Sequence, residues 1–518
     1  MRTIFCLFDS LNKSAVGAYG IGSIETPNFD RFAARACVYD NHYVGSLPCM
    51  PARRDIHTGR LNFMHRSWGP LEPFDNSFPE LMKAAGVYSH MVTDHMHYFE
   101  DGGSTYHGRF SSFDFIRGQE YDPWKAMVEP PLERFREIYS DKHYHFRADQ
   151  NPEGRAAVRL QHAINNEFMI DEADYPGPRC YASALEFLDT NGKADDWFLM
   201  IECFDPHEPF KAPERFKQAY RTGYNGGVLD WPLYAQTSES AEEIAEIRAN
   251  YAALVAMCDE YFGKLLDHMD ANDMWKDTAL VLSTDHGFLL AEHDWWGKNL
   301  QPYYQELANI PLIVHDPRRP ERSGTRSGKL TQTPDLMPTL LDLFDIPVPP
   351  EVRGQSVLDD EPAHEVAAYG MFGGPVGVTD GRYAYYIYPE DLYAPGLHEY
   401  TLMPMHLNSF FTADEVKTAK LSEPFGFTKE MPLLKIDALM DAARIPMHDG
   451  ERFHDIGTRL YDLEKDPKQD HPFRDEAIEA RLRHGLVGIL DAHECPPEIY
   501  GRYALKSARP EPEAPAAQ

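Results

Sequence analysis

Between about Ser240 and Met269 apolar residues recur at a helical period. Almost at once the run Thr278-Ala279-Leu280-Val281-Leu282-Ser283-Thr284 follows as a buried strand that ends in Asp285. Ile244, Ile247, Tyr251, Leu254, Val255, Cys258, Phe262, Leu265 and Met269 carry the helical period, and Ser240 with Glu243 fits a capping box at its start. The chain opens on the same strand-then-aspartate pattern: Thr3 to Phe8 reads as a buried strand, with Asp9 at its carboxyl end. Residues 86–93 and 197–204 are further buried-strand candidates. Thr26-Pro27-Asn28 opens another helix, a hydroxyl cap followed by a first-turn proline. Strands alternating with helices give an α/β fold with a large mixed, mostly parallel sheet sandwiched by helices. Ligands of such sheets gather at the carboxyl ends of strands, so Asp9 and Asp285 stand where a site would form.

A chain of 518 residues exceeds one ordinary core, and two domains are the natural division. Residues 1–364 read as the α/β domain. From about residue 365 the pattern changes: Glu365 to Phe372 and Pro375 to Tyr388 read as antiparallel strands about a turn at Thr379-Asp380-Gly381-Arg382. A helix follows near Asp475 to Ala492, so residues 365–506 form a smaller α+β domain. Residues 394–450 read as an insertion without a clear pattern, and the Pro/Glu/Ala tail 507–518 as disordered.

The formal net charge of −32 repels polyanions and argues against nucleic acid as a partner. An anionic substrate would need local positive charge in its pocket. No apolar run is long enough to cross a membrane, and Met1 to Phe8 lacks the length and cleavage site of a signal peptide, so the expected location is the cytoplasm. Seven scattered cysteines suggest neither a zinc site nor a disulfide framework.

The strongest local signal is Cys49-Met50-Pro51-Ala52-Arg53. Pro51 suits the first turn of a helix that Gly59 would end, which puts Cys49 at a helix N-terminus, where the dipole favours negative charge. Arg53, one turn on, lies on the same face. Alone, the pentapeptide also fits a buried structural cysteine at a helix start.

These residues resemble the sulfatases of the alkaline phosphatase superfamily, whose Cys-x-Pro-x-Arg signature is read by a maturation enzyme that oxidises the cysteine to formylglycine. Leu47-Pro48 and Thr58-Gly59-Arg60 also look like the family. The resemblance implies a geminal diol at position 49: one hydroxyl attacks sulfur, and the other later expels sulfate by reforming the aldehyde. A plain serine or cysteine has no such release path. It further implies one divalent metal ion held by Asp9, the modified Cys49, Asp285 and His286. Ca²⁺, Mn²⁺ and Mg²⁺ all suit that set, with the imidazole tilting toward Mn²⁺. Many members carry a second aspartate after the first strand, whereas here Ser10 follows Asp9, with Asn12 close behind. Cytoplasmic choline sulfatases and phosphonate monoester hydrolases resemble the chain in this.

Thr93-Asp94-His95-Met96-His97 occupies the place of the family's Thr-Gly-Lys-x-His. His97 matches the histidine beside the nucleophile, and His95 stands where a substrate-binding lysine is common. Phe204-Asp205-Pro206-His207-Glu208-Pro209-Phe210 resembles the His-x-Pro loop, which makes His207 the sulfate-binding residue that protonates the leaving oxygen. Trp296-Gly297-Lys298 resembles the loop whose lysine pairs with a sulfate oxygen. Thr333 to Leu343, Gly381-Arg382-Tyr383 and Tyr461 to Pro467 extend the resemblance over about residues 1–500, leaving 394–450 unmatched.

The resemblance thus implies hydrolysis of a small anionic sulfate ester. Cys49, Arg53, His97, His207 and Lys298 would be catalytic, and a formylglycine-generating enzyme would act as maturation partner. It also implies a homo-oligomer, dimer or tetramer, while the lack of a long apolar run argues against a membrane partner. Two alternatives stay open: a phosphonate monoester or phosphate diester hydrolase with the same residues, and a relative that binds metal or anions without turnover.

Overall fold

Strand β1 (Arg2–Phe8) runs through the middle of an eight-stranded sheet, and every residue in it is buried. The computed structural model describes residues 1–22, 24–146, 155–362, 364–439, 447–448 and 451–506. With β2 (Cys37–Tyr43), β3 (Tyr88–Thr93), β4 (Ser112–Phe115), β5 (Trp197–Cys203) and β6 (Thr278–Thr284), the sheet order is Thr325–Gln332, β2, Leu312–His315, β6, β1, β5, β3, β4. Strand Leu312–His315 runs antiparallel to β2 and β6, and the remaining neighbours pair in parallel. The sheet is therefore large, mixed and mostly parallel.

Continuous apolar runs form these central strands because both faces are covered. On one face Ile4, Cys6, Phe8, Leu199, Ile201, Leu280 and Leu282 pack against Tyr251, Leu254, Cys258 and Phe262 of the long helix Ala241–Ala271. On the other, Phe5, Leu7, Phe198, Met200 and Val281 pack against Met50 and Ile56 of helix α2 (Cys49–Thr58). The capping box of Ser240 and Glu243 starts the long helix as its sequence suggests. The first helix, α1 (Pro27–Ala33), is capped differently: the Thr26 hydroxyl accepts from the Gly17 N–H instead. The Asp259 carboxylate, reaching across from the long helix, accepts from the N–H groups of Asn28 and Phe29. A tertiary contact has taken over a local cap.

In the C-terminal part Ala367–Gly370, Val376–Thr379, Tyr383–Ile387 and Arg459–Asp462 form a four-stranded antiparallel sheet. Asp380 accepts from the N–H groups of Arg382 and Tyr383 to hold the expected turn. Helix Glu476–Ala492, capped by Asp475, lays Leu482, Leu486 and Leu490 on this sheet. Within 394–450 the chain forms a three-stranded antiparallel sheet of His398–Thr401, Leu433–Asp437 and Lys420–Ser422, which its composition had hidden. Residues 440–446 and 449–450 of that stretch, and the tail 507–518, lie outside the described residues. All seven cysteines are buried and none is in a disulfide. No helix among the described residues is long and apolar enough to cross a membrane.

Candidate active site

The parallel register brings the carboxyl ends of β5, β1 and β6 to one level: Phe8 pairs with Cys203 on one side and Thr284 on the other. Asp9 and Asp285 therefore leave adjacent strands side by side, as their sequence positions imply. Glu202, opposite Leu7, shares the sheet face that α2 covers. Helix α2 aims its N-terminus at this level, with Cys49 as its first residue. Gly59 ends it at φ 64°, donating its N–H to Asp55 O at 2.8 Å.

Ligand atoms of Asp9, Cys49, Asp285 and His286 all lie within 4.8 Å of one another, and the four residues are buried. Cys49 Sγ is 3.2 Å from His286 Nε2. His286 Nδ1 donates to Gly287 O at 2.8 Å, which fixes the tautomer and leaves Nε2 as a lone pair facing the cluster. That is the arrangement in which a histidine ligates a metal. Burial and the charge of Asp9 push Asp285 up to about 7. Burial also works against the charge of Asp9, but the positive charges of Lys298 and Arg53 hold it well below the carboxylate range. Two buried carboxylates that resist joint ionisation, with an imidazole and a sulfur beside them, fit a divalent cation. Burial and Asp9 push the Cys49 thiol up, so the unmodified side chain stays protonated.

Arg53 organises the carboxylates. Its Nε donates to Glu202 Oε1 (2.6 Å), Nη1 to Asp285 Oδ2 (2.5 Å) and to Cys49 O (3.2 Å), and Nη2 to Asp9 Oδ2 (3.0 Å). Lys298 Nζ donates to Ser10 Oγ at 3.1 Å and lies 3.7 Å from Asp9 Oδ1. Burial disfavours its charge, but Cys49, Glu208, Asp9 and Asp285 outweigh that and raise its pKa. His207 donates from Nδ1 to Glu208 O, and its Nε2 stands 4.0 Å from Asp9 Oδ1. Burial and Lys298 keep this imidazole neutral.

The two remaining expected residues follow β3. His95 is fully buried, stacked on Phe204 at 5.1 Å, and neither ring nitrogen has a partner. Burial and Arg53 lower its pKa, so it is a neutral ring where the family's lysine would carry a charge. His97 contacts His95 edge-on at 5.1 Å and pairs Nδ1 with Glu100 Oε2 at 2.8 Å. Burial lowers its pKa, but Glu100 more than compensates and the net shift is upward. The structure thus gathers Asp9, Cys49, Arg53, His207, Asp285, His286 and Lys298 at one point, and His95 and His97 lie on the segment that follows β3.

Sequence reasoning missed Glu202, although its signal was present: a lone carboxylate in an otherwise apolar strand run. Ser10, left open from sequence, stands at the site in a left-handed turn (φ 60°) and donates to Asp9 Oδ1 at 2.8 Å. Asn12 does not face the cluster. Its side chain accepts from Phe288 N at 2.6 Å and donates to Phe288 O at 2.8 Å, tying the loop after Asp9 to the loop after Asp285.

The sequence pattern of the Sulfatase family matches residues 2–346. The chain is similar to the N-acetylglucosamine-6-O-sulfatase of Bacteroides thetaiotaomicron, 26% identical over 407 residues that span 69% of this chain and 71% of that protein. It is also similar to the multifunctional alkaline phosphatase superfamily protein PehA of Trinickia caryophylli, 24% identical over 65% of this chain and 71% of that one. Among solved structures, the phosphonate monoester hydrolase of Agrobacterium radiobacter shares the fold with a TM-score of 0.61 at 17% identity, over 95% of this chain and 96% of that one.

Proposed function

The chain belongs to the sulfatase family, and on that premise we propose that it hydrolyses sulfate monoesters, aryl or alkyl, with the side chain at position 49 as nucleophile. The observation that carries this reading is the convergence of Asp9, Cys49, Asp285 and His286 at the N-terminus of α2. These four would hold one divalent ion, Ca²⁺, Mn²⁺ or Mg²⁺, with the imidazole favouring Mn²⁺. When bound, the ion supplies a Lewis acid that acidifies the nucleophile and draws charge from the sulfuryl oxygens. Conversion of Cys49 to formylglycine by a formylglycine-generating enzyme supplies a hydrated aldehyde, which carries its own release path.

The chain's other residues then have separable tasks. Arg53 sets the spacing of Asp9 and Asp285, because its guanidinium is spread over both and over Glu202. Lys298 places a buried positive charge against the ester's oxygens. His207 has Nδ1 anchored on Glu208 O, so Nε2 is the nitrogen that faces the leaving oxygen; the resting imidazole is neutral, and it passes to that oxygen a proton taken up from water onto Nε2 when the anionic ester binds. His97, oriented by Glu100, takes the proton that the second hydroxyl of the hydrated aldehyde gives up. His95, with both ring nitrogens unpartnered, binds the ester's oxygens as a neutral group.

A phosphonate monoester or phosphate diester hydrolase would use the same residues. Ser10 bridges Lys298 to Asp9 without adding negative charge, which suits both readings alike, because both classes of ester carry a single negative charge. The mass of the peptide containing Cys49, from protein made alongside a formylglycine-generating enzyme, tests the nucleophile. An aldehyde mass is expected, and an unmodified thiol beside a matured control sulfatase would remove the basis of the mechanism. Turnover of an aryl sulfate against an aryl phosphonate ester, on one preparation, then separates the two readings.

A further inference from the structure

His207 and Lys298 come from separate loops, yet both must face the same ester. The segment 230–236 spans those loops. Phe210, at the end of the His207 loop, donates its N–H to Asp230 O at 2.7 Å, and Trp296, two residues before Lys298, donates its N–H to Ala235 O at 3.0 Å. Between these two bonds lies Tyr234, a buried side chain whose two ends reach both loops.

The hydroxyl end serves the His207 loop. Tyr234 Oη donates to Glu208 Oε1. Burial and the charge of Glu208 keep the proton on this phenol, which makes it the donor. Glu208, 1% exposed, turns its backbone O to His207 Nδ1 and holds its Oε2 3.3 Å from the same nitrogen. With its carboxylate tied to Tyr234, Glu208 has little freedom to turn, and the carbonyl that receives Nδ1 is fixed with it.

The ring end serves the Lys298 loop. Gly297 has φ 95°, and a Cβ there would stand 2.6 Å from Tyr234 Cδ1, closer than a side-chain carbon can approach. Glycine at 297 is what lets the ring lie against the backbone next to Lys298. The same ring meets Phe288 at 5.9 Å and 67°, and Lys298 Nζ lies 6.0 Å from the centroid of that Phe288 ring.

We propose, resting on the reading of His207 as proton donor, that Tyr234 is a positioning residue that sets His207 against Lys298. Its hydroxyl acts through Glu208 on the imidazole, and its ring acts on the loop that carries the ammonium. A tyrosine that only packed would be replaced by phenylalanine without effect on the reaction. A small displacement of His207 from the leaving oxygen is enough to cost rate.

Tyr234→Phe keeps the ring against Gly297 and removes the hold on Glu208 alone. In the matured full-length enzyme it should lower kcat about 10- to 100-fold more for esters of poorly acidic alcohols than for nitrophenyl sulfate, with KM little changed. In the His207→Ala background the same substitution should have no further effect, because the group it positions is gone. Glu208→Ala, which strands the hydroxyl, should reproduce the leaving-group slope of Tyr234→Phe, and it keeps the test open if Tyr234→Phe fails to fold. Equal losses on all esters, no loss, or a loss undiminished in His207→Ala would overturn the assignment and leave Tyr234 a packing residue. A wild-type slope in Glu208→Ala would do the same. The slope of His207→Ala alone decides the parent reading. A line parallel to wild type removes the proton donor and this proposal with it, whereas a steeper line beside an unchanged Tyr234→Phe removes Tyr234 only.

Discussion

The Sγ of Cys49 lies 3.2 Å from Nε2 of His286, across 237 residues of sequence. Because Nδ1 keeps its hydrogen and donates it to Gly287 O, Nε2 has only a lone pair to present, and it presents it where Asp9, Asp285 and position 49 converge. A chelator should therefore abolish turnover, and Mn²⁺, Ca²⁺ or Mg²⁺ should restore it. Metal at about 100-fold its Kd should also stabilise the protein by about 2.7 kcal/mol. His286→Ala should weaken the restoring metal by about 100-fold or more. Melting curves and activity with each metal check both effects, and an unchanged metal response in His286→Ala would remove the histidine from the ligand set.

Cys49→Ala and Cys49→Ser should each lower kcat/KM by about 10⁴-fold or more, since the nucleophile and its support act as a unit. Neither change leaves a large void, because Cys49 is small and sits at a helix start. Melting temperatures should therefore stay near that of the wild type. Serine restoring substantial multiple turnover would show that no aldehyde is needed at this position.

How much of this was legible in the sequence depends on whether the determining contact is local. The strands ending at Asp9 and Asp285, the capping box at Ser240, and the helix from Cys49 to Gly59 are local patterns, and each was readable. The cap of α1 was not, because Asp259 displaces Thr26 from a position distant in sequence. Glu202 stands out locally as a lone carboxylate in an apolar run, but its partner is not legible there, because its role exists only where α2 brings Arg53 over β5. The three-stranded sheet within 394–450 was hidden because its strands are short and partly exposed, without the alternation or apolar continuity that marks a strand.

His207 is held with Nδ1 on Glu208 O, so removing it should matter most when the leaving oxygen most needs a proton. His207→Ala should slow esters of poorly acidic alcohols by about 10²- to 10⁴-fold, and nitrophenyl sulfate much less. The slope of log(kcat/KM) against leaving-group pKa checks this. Parallel lines for wild type and variant would exclude His207 as the proton donor.

Glu202 holds Arg53 Nε at 2.6 Å with both side chains almost fully buried. Glu202→Ala leaves a buried guanidinium with one acceptor fewer and should destabilise the fold by about 3–5 kcal/mol. It should also lower kcat more than it raises KM, because Arg53 then loses the third of the carboxylates that fix it between Asp9 and Asp285. Denaturant melts and initial rates separate the two effects. Full stability with full activity would show that Asp9 and Asp285 alone position the arginine.

Asp94 and Asp205 face each other behind the site, both accepting from Gln119 Nε2, at 3.0 and 2.9 Å. Burial and Asp205 push Asp94 up to about 8, and burial pushes Asp205 up to about 7. The folded protein therefore keeps protons here that an unfolded aspartate releases near pH 4. The native state binds more protons between roughly pH 4 and 8, so stability contributed by this pair falls as pH rises through that window and levels off above it. Asp94→Asn removes one charge while its amide oxygen can still accept from Phe204 N. Its melting temperature relative to wild type should rise from about pH 5 to about pH 8.5, with a gain of order 1–3 kcal/mol at the upper end. A constant loss at every pH would mean instead that both carboxylates are ionised and stabilised by their donors, because then no proton would separate the folded from the unfolded state.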